Sequence, residues 1–323
     1  MERKISMVSR HLIRIKVLQT MYAFKKTENA EFGVFNNVLS ESLGKSYEQY
    51  LIFLTLLADL RRYAENRIAL IQERQIKNDT EWQRLVRFAN NRVLTQLEDN
   101  TTLSALVAEK KINMVLYDSP FRKIYNEIVS PESEFFQEYI TSEDSYASDK
   151  NFIRTVLLNV VAECELLYDT FEDNSIFVND DVDTIISMVE KTIKSFTENN
   201  PEGGDIFPMF ADKETRDFGC TLFKNAIDNW DELTPYIEKS LKNWDIERIA
   251  EIDIITMHLA LTEMMTFNEI PLPVSMNEYI ELAKWYSTEK SGNFVNGILF
   301  KVSETLKEEG KIKKVGRGLI ENI

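Results

Sequence analysis

Cysteine, histidine, glycine and proline are all scarce in this chain: its 323 residues hold 2 Cys, 2 His, 10 Gly and 7 Pro. Cys164 and Cys220 lie far apart and form no CxxC, and His11 and His258 stand near neither of them, so neither a disulfide framework nor a Cys/His metal site is indicated. So few Gly and Pro do not serve the many turns of a doubly wound sheet or a β-sandwich, which favours an all-α chain. No run of about 18 apolar residues appears, so no membrane span is expected. The charged start lacks an uninterrupted apolar stretch, so no signal peptide is expected and a reducing cytoplasm is the plain inference. The signatures Gly-x-Gly-x-x-Gly, Gly-x-x-x-x-Gly-Lys-Ser/Thr and Gly-x-Ser-x-Gly are missing as well. Acid–base chemistry would have to rest on carboxylates such as Asp180, Asp181 and Asp183, or Glu172 and Asp173. A helix start and a solvated turn account for these more simply. No catalytic residue, resident metal or cofactor is expected, and the chain does not read as an enzyme.

What is present is hydrophobic content of 44%, enough for a real core, and a net charge of −15. That charge argues against non-specific coating of nucleic acid. It is also polarised. Residues 1–26 hold seven Lys/Arg and one acid, residues 306–323 hold five Lys/Arg and three acids, and −23 is left for residues 27–305. Basic ends around an acidic middle suit either an RNA footprint or plain solvated termini, since charge alone carries no target information.

Helical periodicity runs through almost the whole chain. Residues 6–26 contain no Gly or Pro and repeat Leu12, Ile15, Leu18 and Tyr22 at three- and four-residue steps, predicting one helix. Arg10 and Arg14 then stand one turn apart. Residues 31–200 predict about six further helices, among them one from Trp82 to Leu97 and one from Asp180 to Phe196. Residues 199–205, Asn-Asn-Pro-Glu-Gly-Gly-Asp, predict a linker. After it, Asp253 to Phe267 is apolar nearly all round and predicts a buried central helix. Pro271 and Pro273 should end what precedes them, and Ser275-x-x-Glu278 should open the next helix as a capping box.

On the last helix, steps of about 100° bring Lys290, Gly297 and Lys301 close to one line, with Phe294 and Asn293 flanking it. A ring among cations, an amide and a glycine for close approach suits single-stranded RNA, although a lone Phe at helical spacing also suits a core.

Three stretches together resemble the NusB family of bacterial transcription antitermination factors. They are the Pro271-to-Lys284 run followed by Ser291-Gly-Asn-Phe-Val-Asn-Gly297, the Trp244-Asp-Ile-Glu-Arg-Ile249 run before the central helix, and Leu18-Gln-Thr-Met-Tyr22 in the first helix. The resemblance covers residues 5–27 and about 210–305. It implies an all-α, NusB-like helical bundle opened after its first helix by a large all-helical insertion. The implied organisation is a first helix in 1–30, an insertion in 31–200, the rest of the bundle in 201–310 and a basic tail in 311–323. The resemblance further implies binding of boxA RNA together with the small-subunit ribosomal protein NusE, joining an RNA polymerase antitermination complex. By position it assigns Arg10, Arg14, Gln19, Tyr22 and Phe294 to RNA, where Lys290, Asn293 and Lys301 join them from the helix-face reading, and Glu247 and Asp253 to the partner protein on another face. Two residues depart from the family pattern: Lys290 stands where an acid is usual, and His11 where an arginine is frequent. Two other readings stay open, a helical protein-binding scaffold and the RNA-binding module of an rRNA-modifying system.

Overall fold

The computed structural model describes residues 5–73, 80–178, 181–241 and 248–320. Among the described residues there are fifteen α-helices and no strand, as the shortage of turn residues implies. The first two are α1 (Arg10–Lys26) and α2 (Phe32–Glu73). Then come α3 (Thr80–Ala89), α4 (Arg92–Asp99), α5 (Thr101–Glu109), α6 (Asp118–Val129), α7 (Glu134–Thr141), α8 (Tyr146–Val156), α9 (Glu165–Asn174) and α10 (Val182–Ser195). The last five are α11 (Lys213–Asp228), α12 (Trp230–Ser240), α13 (Glu251–Thr266), α14 (Leu272–Tyr286) and α15 (Ser291–Glu308). No described helix is long and apolar enough to cross a membrane.

The chain divides into two compact units, one of Met1–Val8 with Gly44–Met209, the other of Ser9–Leu43 with Phe210–Ile323. The 42-residue helix α2 contributes its first turns to the second unit and the remainder to the first.

The first unit is built around aromatic rings. Phe88 meets Phe136 and Phe152 edge-on, and Tyr139 stacks on Phe152 with centroids 4.0 Å apart. Beside them the fully buried Asp149 accepts hydrogen bonds from Arg92 Nε at 2.7 Å and Tyr139 Oη at 2.8 Å. The helix predicted from Trp82 to Leu97 is two helices. Asn91 interrupts it because its side chain accepts from Val93 and Leu94 N–H, capping α4. Residues 199–205 are not a loose linker. Gln96 donates to the carbonyls of Thr197 and Asn200, and Asn100 to those of Glu202 and Gly204. Gly203 has φ +74, and a side chain there would run into the Phe196 ring.

The second unit brings α1 together with helices nearly two hundred residues later. Ser9 caps α1 by accepting from Leu12 N–H, and α1 packs on α11 and α13. Gly219 of α11 permits the approach, since a Cβ there would lie 2.8 Å from Ile13 Cγ2. Helix α13 is central, as its sequence predicts. All ten residues from Ile255 to Met264 are buried, at roughly 1.5–3 kcal/mol for each large apolar side chain. The expected capping box is different. Helix α14 starts at Leu272, with Pro273 in its first turn, where no N–H donor is needed. Ser275 is therefore one turn inside, buried, and donates to Glu263 Oε1 at 2.7 Å.

Candidate functional site

The outward face of α15 holds the predicted RNA residues that remain accessible. Lys290, Asn293, Gly297 and Lys301 are exposed and Phe294 is half-buried, while Val295, Ile298, Leu299 and Val302 of the same helix are in the core. A Cβ built at Gly297 meets nothing within 4 Å, so the close approach that this glycine permits faces outward. Phe300, on the same side of α15, is 62% exposed and was missed in the sequence. Lys290 and Lys301 are eleven residues apart, about 16 Å along the axis. The start of the helix is held by a reciprocal pair: Ser291 N–H donates to Thr288 Oγ1 and Thr288 N–H to Ser291 Oγ.

Gln19 reaches this corner from α1. Its Nε2 donates to Tyr286 Oη at 3.4 Å, at the end of α14. Tyr22, one turn further on, is 40% exposed. Arg10 lies nine residues before Gln19, about 13 Å away along α1, and pairs with Glu214 of α11.

Arg14 corrects the sequence expectation. It is 2% exposed and its fork closes on Glu263, Nε to Oε2 and Nη2 to Oε1, both at 2.7 Å. Glu263, itself at 0% exposure, also accepts from Ser275 Oγ and from Tyr279 Oη at 2.9 Å. Burial works to lower the Arg14 pKa, but Glu263 overrides it and the guanidinium stays charged. At 2% exposure the group is not presented to a phosphate at the surface. The other cations of α1 are also engaged within the protein: Lys16 is buried, Lys26 pairs with Glu251, and Lys25 Nζ lies 3.5 Å from the centre of the Trp230 ring. Trp230 in turn stacks on His258 at 3.7 Å. Burial, then the nearby Lys25 charge, push the His258 pKa down to about 3.

Asp253 is corrected too. It is 4% exposed and its Oδ2 accepts from Ser291 Oγ at 2.9 Å. Burial raises its pKa, against hydrogen bonds from Ser291 and Ser287 that lower it. Asp253 therefore sits behind the start of α15 and not on an opposite surface. Its neighbour Glu251, 40% exposed in its side chain, is the accessible acid of that turn. Glu247 lies outside the described residues. Among the described residues no group of three or more His, Cys, Asp or Glu could hold a metal ion.

Comparison with known proteins gives a consistent assignment. The NusB family model matches residues 184–304, starting inside α10 and ending in α15. A Salinibacter ruber protein named transcription antitermination protein NusB is 39% identical over 140 residues, 41% of this chain and 88% of that protein. Proteins of the same name from Chloroherpeton thalassium and Natranaerobius thermophilus are each 40% identical, over 113 and 86 residues. Those two matches span 54% and 62% of the relatives' lengths, and 35% and 27% of this chain. The N-terminal region is extra relative to these homologues. No solved structure matches the chain.

Proposed function

This chain belongs to the NusB family, and on that premise we propose that it acts in transcription antitermination by binding boxA-type RNA of nascent ribosomal transcripts together with the ribosomal protein NusE. The observation that carries the reading is the outer face of α15. Phe294 offers a ring edge for a base, Lys290 and Lys301 offer cations to phosphates, Asn293 offers an amide to a base edge, and Gly297 lets the strand come close. Gln19 and Tyr22 extend this face from α1, whereas Arg10, paired with Glu214, makes no phosphate contact in this reading. The work is recruitment: RNA and NusE are held on one platform that joins the polymerase, and no covalent chemistry is involved. A basic ribosomal protein is drawn to acidic surface, for which Glu247 and the accessible Glu251 are the proposed contacts. Asp253 supports the site from behind through Ser291.

Filter binding with boxA-type and scrambled RNA, each with and without NusE, tests the proposal. The expected result is preference for boxA, strengthened by NusE. Equal, weak retention of both RNAs under both conditions would remove the reading.

A further inference from the structure

An exposed indole stands at the corner where three elements of the second unit meet. Trp285, in the last turn of α14, is 79% exposed, more than any other described aromatic side chain. It gives almost nothing to the core, and a large apolar ring left in water is informative in a way a scattered leucine is not.

Its surroundings are built. The next residue, Tyr286, receives the Gln19 hydrogen bond from α1. Two turns earlier Glu278, on the same side of α14 as Trp285 by helical spacing, binds His11 Nδ1 at 2.7 Å. These two side-chain links tie α1 to α14. On its other side, Lys284 lays its aliphatic stem over Gly292 of α15, where a Cβ would come within 2.7 Å of Lys284 Cγ. Four residues after Tyr286 comes the exposed Lys290. The exposed ring thus stands in sequence between Lys284, which covers Gly292 of α15, and Tyr286, which Gln19 of α1 reaches.

We propose that Trp285 stacks on a base of single-stranded RNA and extends the binding surface from α15 across the end of α14 toward Tyr22. The proposal rests on the RNA-binding reading above. It favours nucleic acid over a protein ligand because the start of α15 presents Lys290 and Asn293, and Gln19 reaches the next residue, Tyr286, groups that suit phosphates and base edges. Bases carry π-faces whatever their identity, so this position should contribute affinity more than sequence preference.

The test uses the full chain, whose tryptophans are Trp82, Trp230, Trp244 and Trp285, and a boxA-type single-stranded RNA. Titration should quench the fluorescence of the unmodified protein, and W285F should lose most of that quenching. W285A should weaken binding about 5- to 150-fold, the span of one lost base stack. W285F should restore affinity to within about threefold, because phenylalanine still offers a face. That rescue separates stacking from any effect on folding. Unchanged affinity of W285A with undiminished quenching in W285F would overturn the proposal and leave RNA binding standing. A defect of W285A in binding the basic ribosomal protein alone would overturn it in favour of a protein contact. Failure of the unmodified protein to bind the RNA would overturn both this proposal and the reading beneath it.

Discussion

Helix α1 holds five Lys/Arg and no acid, whereas α15 holds two Lys balanced by two Glu. By charge, α1 is the helix that RNA should choose. In the folded protein its cations are spent: Arg14 on Glu263, Arg10 on Glu214, Lys26 on Glu251, Lys25 on the Trp230 ring, and Lys16 buried. Helix α15, nearly neutral, keeps Lys301, Asn293 and Gly297 facing outward, with Lys290 just before its first turn. The difference teaches that a local electrostatic footprint depends on which cations are already engaged by carboxylates, rings or burial, and not on how many a segment carries; Lys301 Nζ, by contrast, donates to the neutral Lys239 carbonyl at 3.5 Å.

The hardest test of this contrast is R14A. Removing one partner of a buried pair strands the other, so about 3–5 kcal/mol of stability should be lost. Denaturant unfolding measures it. The folded fraction should still bind RNA, and a stable R14A that has lost RNA affinity would return α1 to the RNA face.

The other end of α1 makes a similar statement through pH. The folded pKa of His258, about 3, lies below its ordinary value of 6.5. Below pH 6.5 the unfolded chain therefore binds more protons than the folded one, and stability falls with acid through this window. Between pH 6.5 and 4 the contribution is on the order of 3 kcal/mol, at about 1.4 kcal/mol per pH unit. Comparing the pH dependence of unfolding for the parent and H258F isolates it, since H258F should lack that slope.

On the α15 side, F294A should cost about 1–3 kcal/mol of RNA affinity. It should lower stability less than R14A does, because the Phe294 ring is only half-buried. A collapse in melting temperature would assign Phe294 to the core.

The smallest effects sharpen the contrast most. K290A and K301A should each reduce the salt dependence of RNA binding by about 0.7 in log–log slope, one phosphate contact apiece. R10A should leave the slope nearly unchanged and cost about 0.2–1 kcal/mol of stability, the range for an exposed ion pair. The reverse pattern, with R10A changing the slope and the lysines not, would invert the account.

Much of this was legible beforehand. The helical class followed from the lack of Gly and Pro, the central helix from apolar residues on all its sides, and α1 from its three- and four-residue steps. The arrangement of Lys290, Asn293, Gly297 and Lys301 followed from the helical repeat alone. Long-range pairing was not legible. Nothing near Arg14 in sequence announces Glu263, 249 residues away, and a cation one turn from Arg10 looks as free as its neighbour. Asp253 misled for the same reason, because Ser291 is a local feature of a different helix. Asn91 hid a helix break inside an apolar repeat, since its side chain and not its backbone ends the run. Trp285 went unnoticed because an aromatic residue at helical spacing is ordinarily core, and only its exposure marks it out.

The central claim, that single-stranded RNA lies on α15 and the adjoining end of α14, is tested most directly by photo-crosslinking. The full chain would be irradiated with boxA-type RNA carrying 4-thiouridine, and the attached peptides identified by mass spectrometry. The account predicts attachment within residues 284–301, with Trp285 or Phe294 the most frequent site, and little attachment to residues 10–16. Crosslinks confined to residues 44–209, or concentrated around Arg10 with none in 284–301, would contradict it.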